Sequence, residues 1–336
     1  MTGPVAVGAA RNTIVQIRDV QEDELREQTF DLAIAAAGFE PRATAIPRKL
    51  HAVFEASGHV ICLDSLQADP VRLSTEAELV RLCRDRKHSF STSAYGHYLQ
   101  WFAAELRKIK TIHGRIPRVF IDYTCMPKPF YIGALVAAAY EVGADIVLGY
   151  NYGTRTLEEW QVAEVDAIYA IPGLEGLSAG DGRQLHLFSL GFDGAQAGAL
   201  EEIFQPHMSY ALVADPGADV GAGEEAIRRN RGVINRAEAL IRLPIGGVTE
   251  VVGVTRDLLG VGGPDAGLVI VPLGPKPHAL GLGLAALLEP EITFLHVLTK
   301  NPPLRRTEAS EQNCWTSVSI VPSSELERRS EDTGAR

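Results

Sequence analysis

Four cysteines in 336 residues, Cys62, Cys83, Cys125 and Cys314, stand far apart. None forms a C-x-x-C pair, which argues against a disulfide framework and against a cysteine-held metal cluster. Cys62 and Cys125 fall in apolar, strand-like runs and read as buried thiols, and a reducing cytoplasm fits. No run of 18 or more apolar residues exists, so no membrane span is expected. The N-terminus lacks a basic start followed by a long apolar stretch, so no signal peptide is expected. An excess of positive charge is missing too: the formal net charge is −10. A duplex-DNA binder needs a basic face, and this balance argues against one. It leaves room for a small anionic ligand, because a few lysines or arginines and helix N-termini suffice. The sequence has no G-x-x-x-x-G-K-[ST] loop, no G-x-G-x-x-G fingerprint in proper context, no G-x-S-x-G elbow and no H-E-x-x-H pair.

Present instead is an apolar fraction of 46% with 32 glycines and 19 prolines. That suits a well-cored α/β protein with many short turns. Uninterrupted apolar runs at Leu32–Ala37, His59–Leu63, Arg118–Asp122 and Asp145–Tyr150 read as strands covered on both faces of a parallel sheet. Helices are expected from the Gly38 turn to Glu55, over Thr75–Arg84, Tyr95–Ile109 and Phe130–Glu141. The stripe of Tyr95, Tyr98, Trp101 and Phe102 reads as core. The second half repeats the pattern: strands Leu185–Leu190, Ser209–Ala214, Leu268–Pro272 and Thr293–Thr299, with helices Ala195–Phe204, Arg228–Ile241 and His278–Leu288.

Three landmarks recur in the same order. Gly38 and Gly191 are 153 residues apart, Asp64 and Asp215 are 151 apart, and Lys128 and Lys276 are 148 apart. Near-constant offsets point to a duplication. The predicted organisation is two tandem Rossmann-like units with mostly parallel sheets, related by a pseudo-twofold. They span 1–172 and 173–322, with a linker near 173–182 and a disordered tail over 323–336.

In such sheets ligands sit beyond the carboxyl ends of the strands. Two turns of each unit leave those ends. The first reads Gly38-Phe39-Glu40-Pro41-Arg42, with Gly191-Phe192-Asp193-Gly194 as its counterpart. Gly permits close approach to a ligand, and Arg42 at a helix start suits an anion. The plainer reading makes Glu40 and Asp193 helix caps. The second turn runs from Asp122 through Thr124 to Pro127-Lys128-Pro129, with Gly274-Pro275-Lys276-Pro277-His278 as its partner. A lysine beside the positive end of a helix is a candidate phosphate contact; otherwise it is a solvated charge. Asp122 and Thr124 offer an acceptor and a hydroxyl, Gly274 close approach, and His278 a donor. The histidines at 88, 97, 113, 207 and 296 are scattered singly and read as structural.

The stretch Ile121-Asp122-Tyr123-Thr124-Cys125-Met126-Pro127-Lys128, followed by a small-residue helix, resembles the second signature of CRISPR-associated Rossmann-fold (CARF) sensor domains. Two fused units resemble the SAVED sensors of cyclic-oligonucleotide antiviral systems. Pro127 replaces the usual Gly before the signature lysine, and the second copy lacks the Asp and Thr. The resemblance implies a cytoplasmic sensor of a cyclic oligonucleotide, with no cofactor. Gly38, Phe39, Glu40, Arg42, Asp122, Thr124, Lys128, Gly191, Phe192, Asp193, Gly274, Lys276 and His278 would form its site. Such a sensor needs a separate effector protein, or acts by forming homo-oligomers or filaments. Two other readings stay open: a nucleotide-processing hydrolase using Glu40, Asp122 or Asp193 as acid or base, and a structural subunit of a defence complex.

Overall fold

A computed structural model describes residues 13–64, 67–92, 95–154, 164–177, 183–218, 221–263, 265–300 and 307–322. The expected linker at 173–182 lies partly outside these residues, and the expected tail over 323–336 wholly outside them. The first unit comprises β1 (Thr13–Asp19), α1 (Glu22–Arg26), β2 (Leu32–Ala37), a 3-10 turn (Pro41–Thr44), α2 (Ala45–Lys49), α3 (His51–Ser57), β3 (Gly58–Leu63), α4 (Pro70–Leu82), β4 (Lys87–Phe90), α5 (Gly96–His113), β5 (Arg118–Asp122), α6 (Lys128–Tyr140) and β6 (Ala144–Thr154). Then come β7 (Glu164–Ala170), β8 (Gln184–Leu190), α7 (Gly194–Phe204), β9 (Met208–Ala214), α8 (Ala222–Arg229), α9 (Arg231–Ile234), β10 (Ala239–Leu243), α10 (Val248–Gly262), β11 (Gly267–Pro272), α11 (Lys276–Leu288), β12 (Ile292–Lys300) and β13 (Glu308–Val321).

The described strands form two sheets. One has seven strands in the order β1-β13-β6-β5-β2-β3-β4, the other six in the order β10-β9-β8-β11-β12-β7. The runs β6-β5-β2-β3-β4 and β12-β11-β8-β9-β10 are parallel throughout and have one topology. The duplication seen in the turns is thus a duplication of two Rossmann-like units.

Strand alternation builds the layers. Leu32, Ile34 and Ala36 of β2 face a core shared by both units; Ala33, Ala35 and Ala37 face an outer core with α3 and α4. In β8, Leu185 and Leu187 face the shared core, and Phe188 and Leu190 an outer one with α7. The shared core is filled by α5, α6, α10 and α11. Almost every residue of α6 and α11 is buried, which is why neither shows a polar face. A Cβ on Gly283 would lie 2.5 Å from Ile132 Cδ1, so α11 crosses α6 closely there.

The outermost antiparallel strands are exchanged. β7 follows the fifth parallel strand of the first unit yet pairs with β12 of the second. β13 follows the fifth parallel strand of the second unit yet pairs with β6 of the first, and β1 covers it. Sheet membership therefore interleaves across the expected division at 172–173.

Two expected helices are corrected. Arg228–Ile241 is not a single helix: α8 ends at Arg229, α9 is one short turn, and Ala239–Leu243 is a strand in parallel register on β9. The helix from the Gly38 turn to Glu55 is likewise broken into three short segments, with an irregular joint at Leu50.

Candidate functional site

The β5–α6 and β11–α11 turns meet, and each sends its lysine into the other unit. Pro127 enters α6 in extended backbone, and Pro129 fills a first-turn position whose N–H would lack a partner. Lys128 then projects across the junction and donates from Nζ to the Pro272 carbonyl at the end of β11. Lys276 starts α11 after Pro275 in the same way, and its Nζ donates to the carbonyls of Thr124 at 2.6 Å and Tyr123 at 3.4 Å. Tyr131 Oη donates to the Lys276 carbonyl at 3.4 Å. Among the described residues neither ammonium has a carboxylate within ion-pair distance. Burial, reinforced by Lys276, pushes the Lys128 ammonium down to about 8. Burial also lowers Lys276, while Glu40 and Asp122 partly offset this. Two desolvated cations at the amino ends of two helices are thus held by neutral carbonyls.

The first unit frames this spot with a polar network. Arg42 is buried; Nη1 donates to Tyr150 Oη and to the Asn151 carbonyl, both at 3.0 Å, and Nε pairs with Glu40. Its guanidinium carbon lies 5.2 Å from the centre of the Tyr150 ring. Asp122 is enclosed, accepts from the Thr124 N–H at 2.9 Å, and is pushed up to about 6 by burial. Thr124 is also fully buried, and its hydroxyl accepts from the Asn151 N–H at 3.0 Å. Gly38 packs on Cys125: a Cβ there would sit 2.5 Å from Cys125 Cβ, so the close approach that requires glycine is to the neighbouring turn. Burial pushes the Cys125 thiol up to about 12.

The second unit is built alike but with different chemistry. Asp193 caps α7 by accepting from the Gln196 N–H at 3.0 Å. Gly191 abuts the Leu273 carbonyl, and Gly274 abuts Ser189. Phe192 is half-buried against the outer core. His278 is fully buried; Nε2 faces the Pro244 carbonyl at 2.9 Å, and burial pushes it down to about 4. A neutral ring donating to Pro244 braces α11 against the turn before α10.

The two lysines, Arg42, Glu40, Asp122 and Thr124 are thus brought into one network. Phe39, Glu40, Lys128, Gly191, Phe192, Asp193, Gly274 and Lys276 are partly exposed, whereas Arg42, Asp122, Thr124 and His278 lie beneath the surface. Asn151 is the residue that sequence reasoning missed. Its backbone serves both Thr124 and Arg42, and its Nδ2 donates to the Ser310 carbonyl and Asn313 Oδ1, both at 2.8 Å. Those partners sit on β13, where the register with β6 breaks between Ala309 and Asn313. Nothing local in the sequence signals this, because the contact depends on the exchanged strand.

Among the described residues no three His, Cys, Asp or Glu side chains gather as a metal-holding group, and no helix is long and apolar enough to cross a membrane. No protein-family model matches the chain, and no curated protein matches it.

Proposed function

We propose that this chain binds a small phosphate-bearing ligand, a cyclic oligonucleotide of the kind sensed by CARF and SAVED proteins, across the junction of its two units. The observation that carries the reading is the reciprocal crossing of Lys128 and Lys276, two desolvated ammoniums that donate to backbone carbonyls and, among the described residues, have no carboxylate within ion-pair distance. A ligand with phosphates on either side of the pseudo-twofold supplies the missing counter-charge to both. Because Arg42 and Thr124 occur only in the first unit, the ligand is held unequally. The occupied protein then signals through a separate effector or through self-assembly, in the reducing cytoplasm that four free cysteines suit.

The test is a thermal-shift screen against cyclic di-, tri- and tetranucleotides and their linear counterparts, with chromatography of the mixtures. A saturating ligand is expected to raise Tm by roughly 5–10 °C. Lys128→Ala and Lys276→Ala should each abolish the shift. Ligand turnover that Asp122→Asn or Glu40→Gln removes would move the assignment to a hydrolase. If no nucleotide shifts Tm, the proposed binding is wrong.

A further inference from the structure

Glu40 and Asp193 occupy matching places in the two units, and the structure gives them different work. Both precede the first turn of the element that follows the unit's first parallel strand. Asp193 does what a short acid does there and caps the helix. Glu40 makes no side-chain cap. It turns instead onto Arg42 Nε. The second unit has Ala195 where Arg42 stands in the first. The acid thus leaves its cap where an arginine two residues on can receive it and where the extra methylene of Glu gives the reach.

The surroundings of Glu40 are those of the expected phosphate. Its carboxylate acts on Arg42, Cys125 and Lys276. Asp122, the other carboxylate acting on Lys276, is enclosed and engaged by the Thr124 N–H. Glu40 keeps 16% of its side chain exposed, against 9% for Arg42. It is therefore the more accessible member of the pair. The inner face of Arg42 is fixed by Tyr150 and Asn151.

We propose that Glu40 is a built-in occupant of the anion seat, holding Arg42 in the ligand-free protein and yielding it to an incoming phosphate. The inference rests on the phosphate reading above and adds to it a threshold: an anion must be strong enough to displace a tethered carboxylate. A phosphoryl group, whose two free oxygens accept in bidentate fashion from a guanidinium even in a phosphodiester, meets that condition; a spherical anion such as chloride does not.

The probe is inorganic pyrophosphate, titrated by calorimetry into the full chain. Glu40→Gln should bind it about tenfold more tightly than the wild type, the factor that corresponds to one charge-assisted contact no longer contested. Glu40→Asp separates displacement from bulk charge. It keeps the negative charge but has the length that caps α7 in the second unit, so it should tighten binding to a similar degree. Glu311→Gln, an exposed carboxylate on β13 that makes no contact with Arg42, should leave affinity within twofold. Tightening in Glu40→Gln but not in Glu40→Asp assigns the effect to net charge and overturns the proposal. So does unchanged or weaker binding in both variants. The wild-type Tm should be nearly insensitive to pyrophosphate below saturation, and that of both Glu40 variants should rise with it. Equal responses also overturn the proposal. A nucleotide shift abolished by Lys128→Ala, with no gain in either Glu40 variant, leaves the binding site standing and removes only the occupant.

Discussion

Burial and the neighbouring Lys276 push the Lys128 ammonium down to about 8 in the folded chain, against 10.5 for an ordinary lysine. The sign follows directly: the folded state disfavours the charge, so this group costs stability below about pH 8. That cost is relieved as pH rises from 8 toward 10.5, where the unfolded chain still holds the proton. Affinity runs the other way, since only the charged form attracts a phosphate. Binding of a phosphate ligand should fall as pH rises through 8, measured as Kd between pH 7 and 9, and Lys128→Arg should flatten that profile. Asn151 makes a second prediction. Replacing it with Ala strands the Ser310 carbonyl and Asn313 Oδ1, and should cost roughly 2–4 kcal/mol by urea denaturation. Arg42 and the lysines were legible as turn residues at the carboxyl ends of parallel strands. Their internal partners were not, because a side chain's reach across a junction leaves no mark in local spacing.

At the level of elements, the inner parallel strands of both sheets were legible because they are covered on both faces and read as unbroken apolar runs. β2, β5, β8 and β11 lie within a residue of their expected limits. β4 and β10 were missed for the complementary reason. They are short edge strands, Lys-His-Ser-Phe and Ala-Leu-Ile-Arg-Leu, half-covered and carrying charge. Pairing with β3 and β9 makes them strands, and pairing is a tertiary fact. The short, charged run around β10 also carried enough helix formers to suggest the helix that is not there. α6 and α11 were legible as apolar helices, and their closeness has a test. Gly283→Val places side-chain atoms where Ile132 already stands, and should cost about 1–3 kcal/mol in thermal or urea unfolding.

The whole molecule joins its halves twice, through the helices of the shared core and through the exchanged strands. The duplication was legible from three offsets; the exchange was not, since the sheet that β7 and β13 join is set by long-range pairing that no local spacing records. Unfolding should therefore be a single transition by circular dichroism and by Trp fluorescence alike. Residues 1–172 expressed alone lack β13, and residues 173–336 lack β7. Each fragment should be insoluble or unfolded alone, and the two should form a folded complex when co-expressed. Two separate transitions, or a soluble monomeric fragment, would contradict the shared core.

The same exchange sets an order of events during synthesis. Once residue 172 has left the ribosome, the open flank of β6 presents an unpaired run of backbone donors and acceptors, and β7 has no sheet to join. The strand that closes β6 emerges more than 130 residues later, with β13. In that interval the nascent chain carries two loose sheet margins, each complementary to a segment that a neighbouring nascent chain on the same message has already made. Pairing between chains on one polysome then competes with pairing within a chain. The outcome is decided by how soon the last described strand follows the second unit's core.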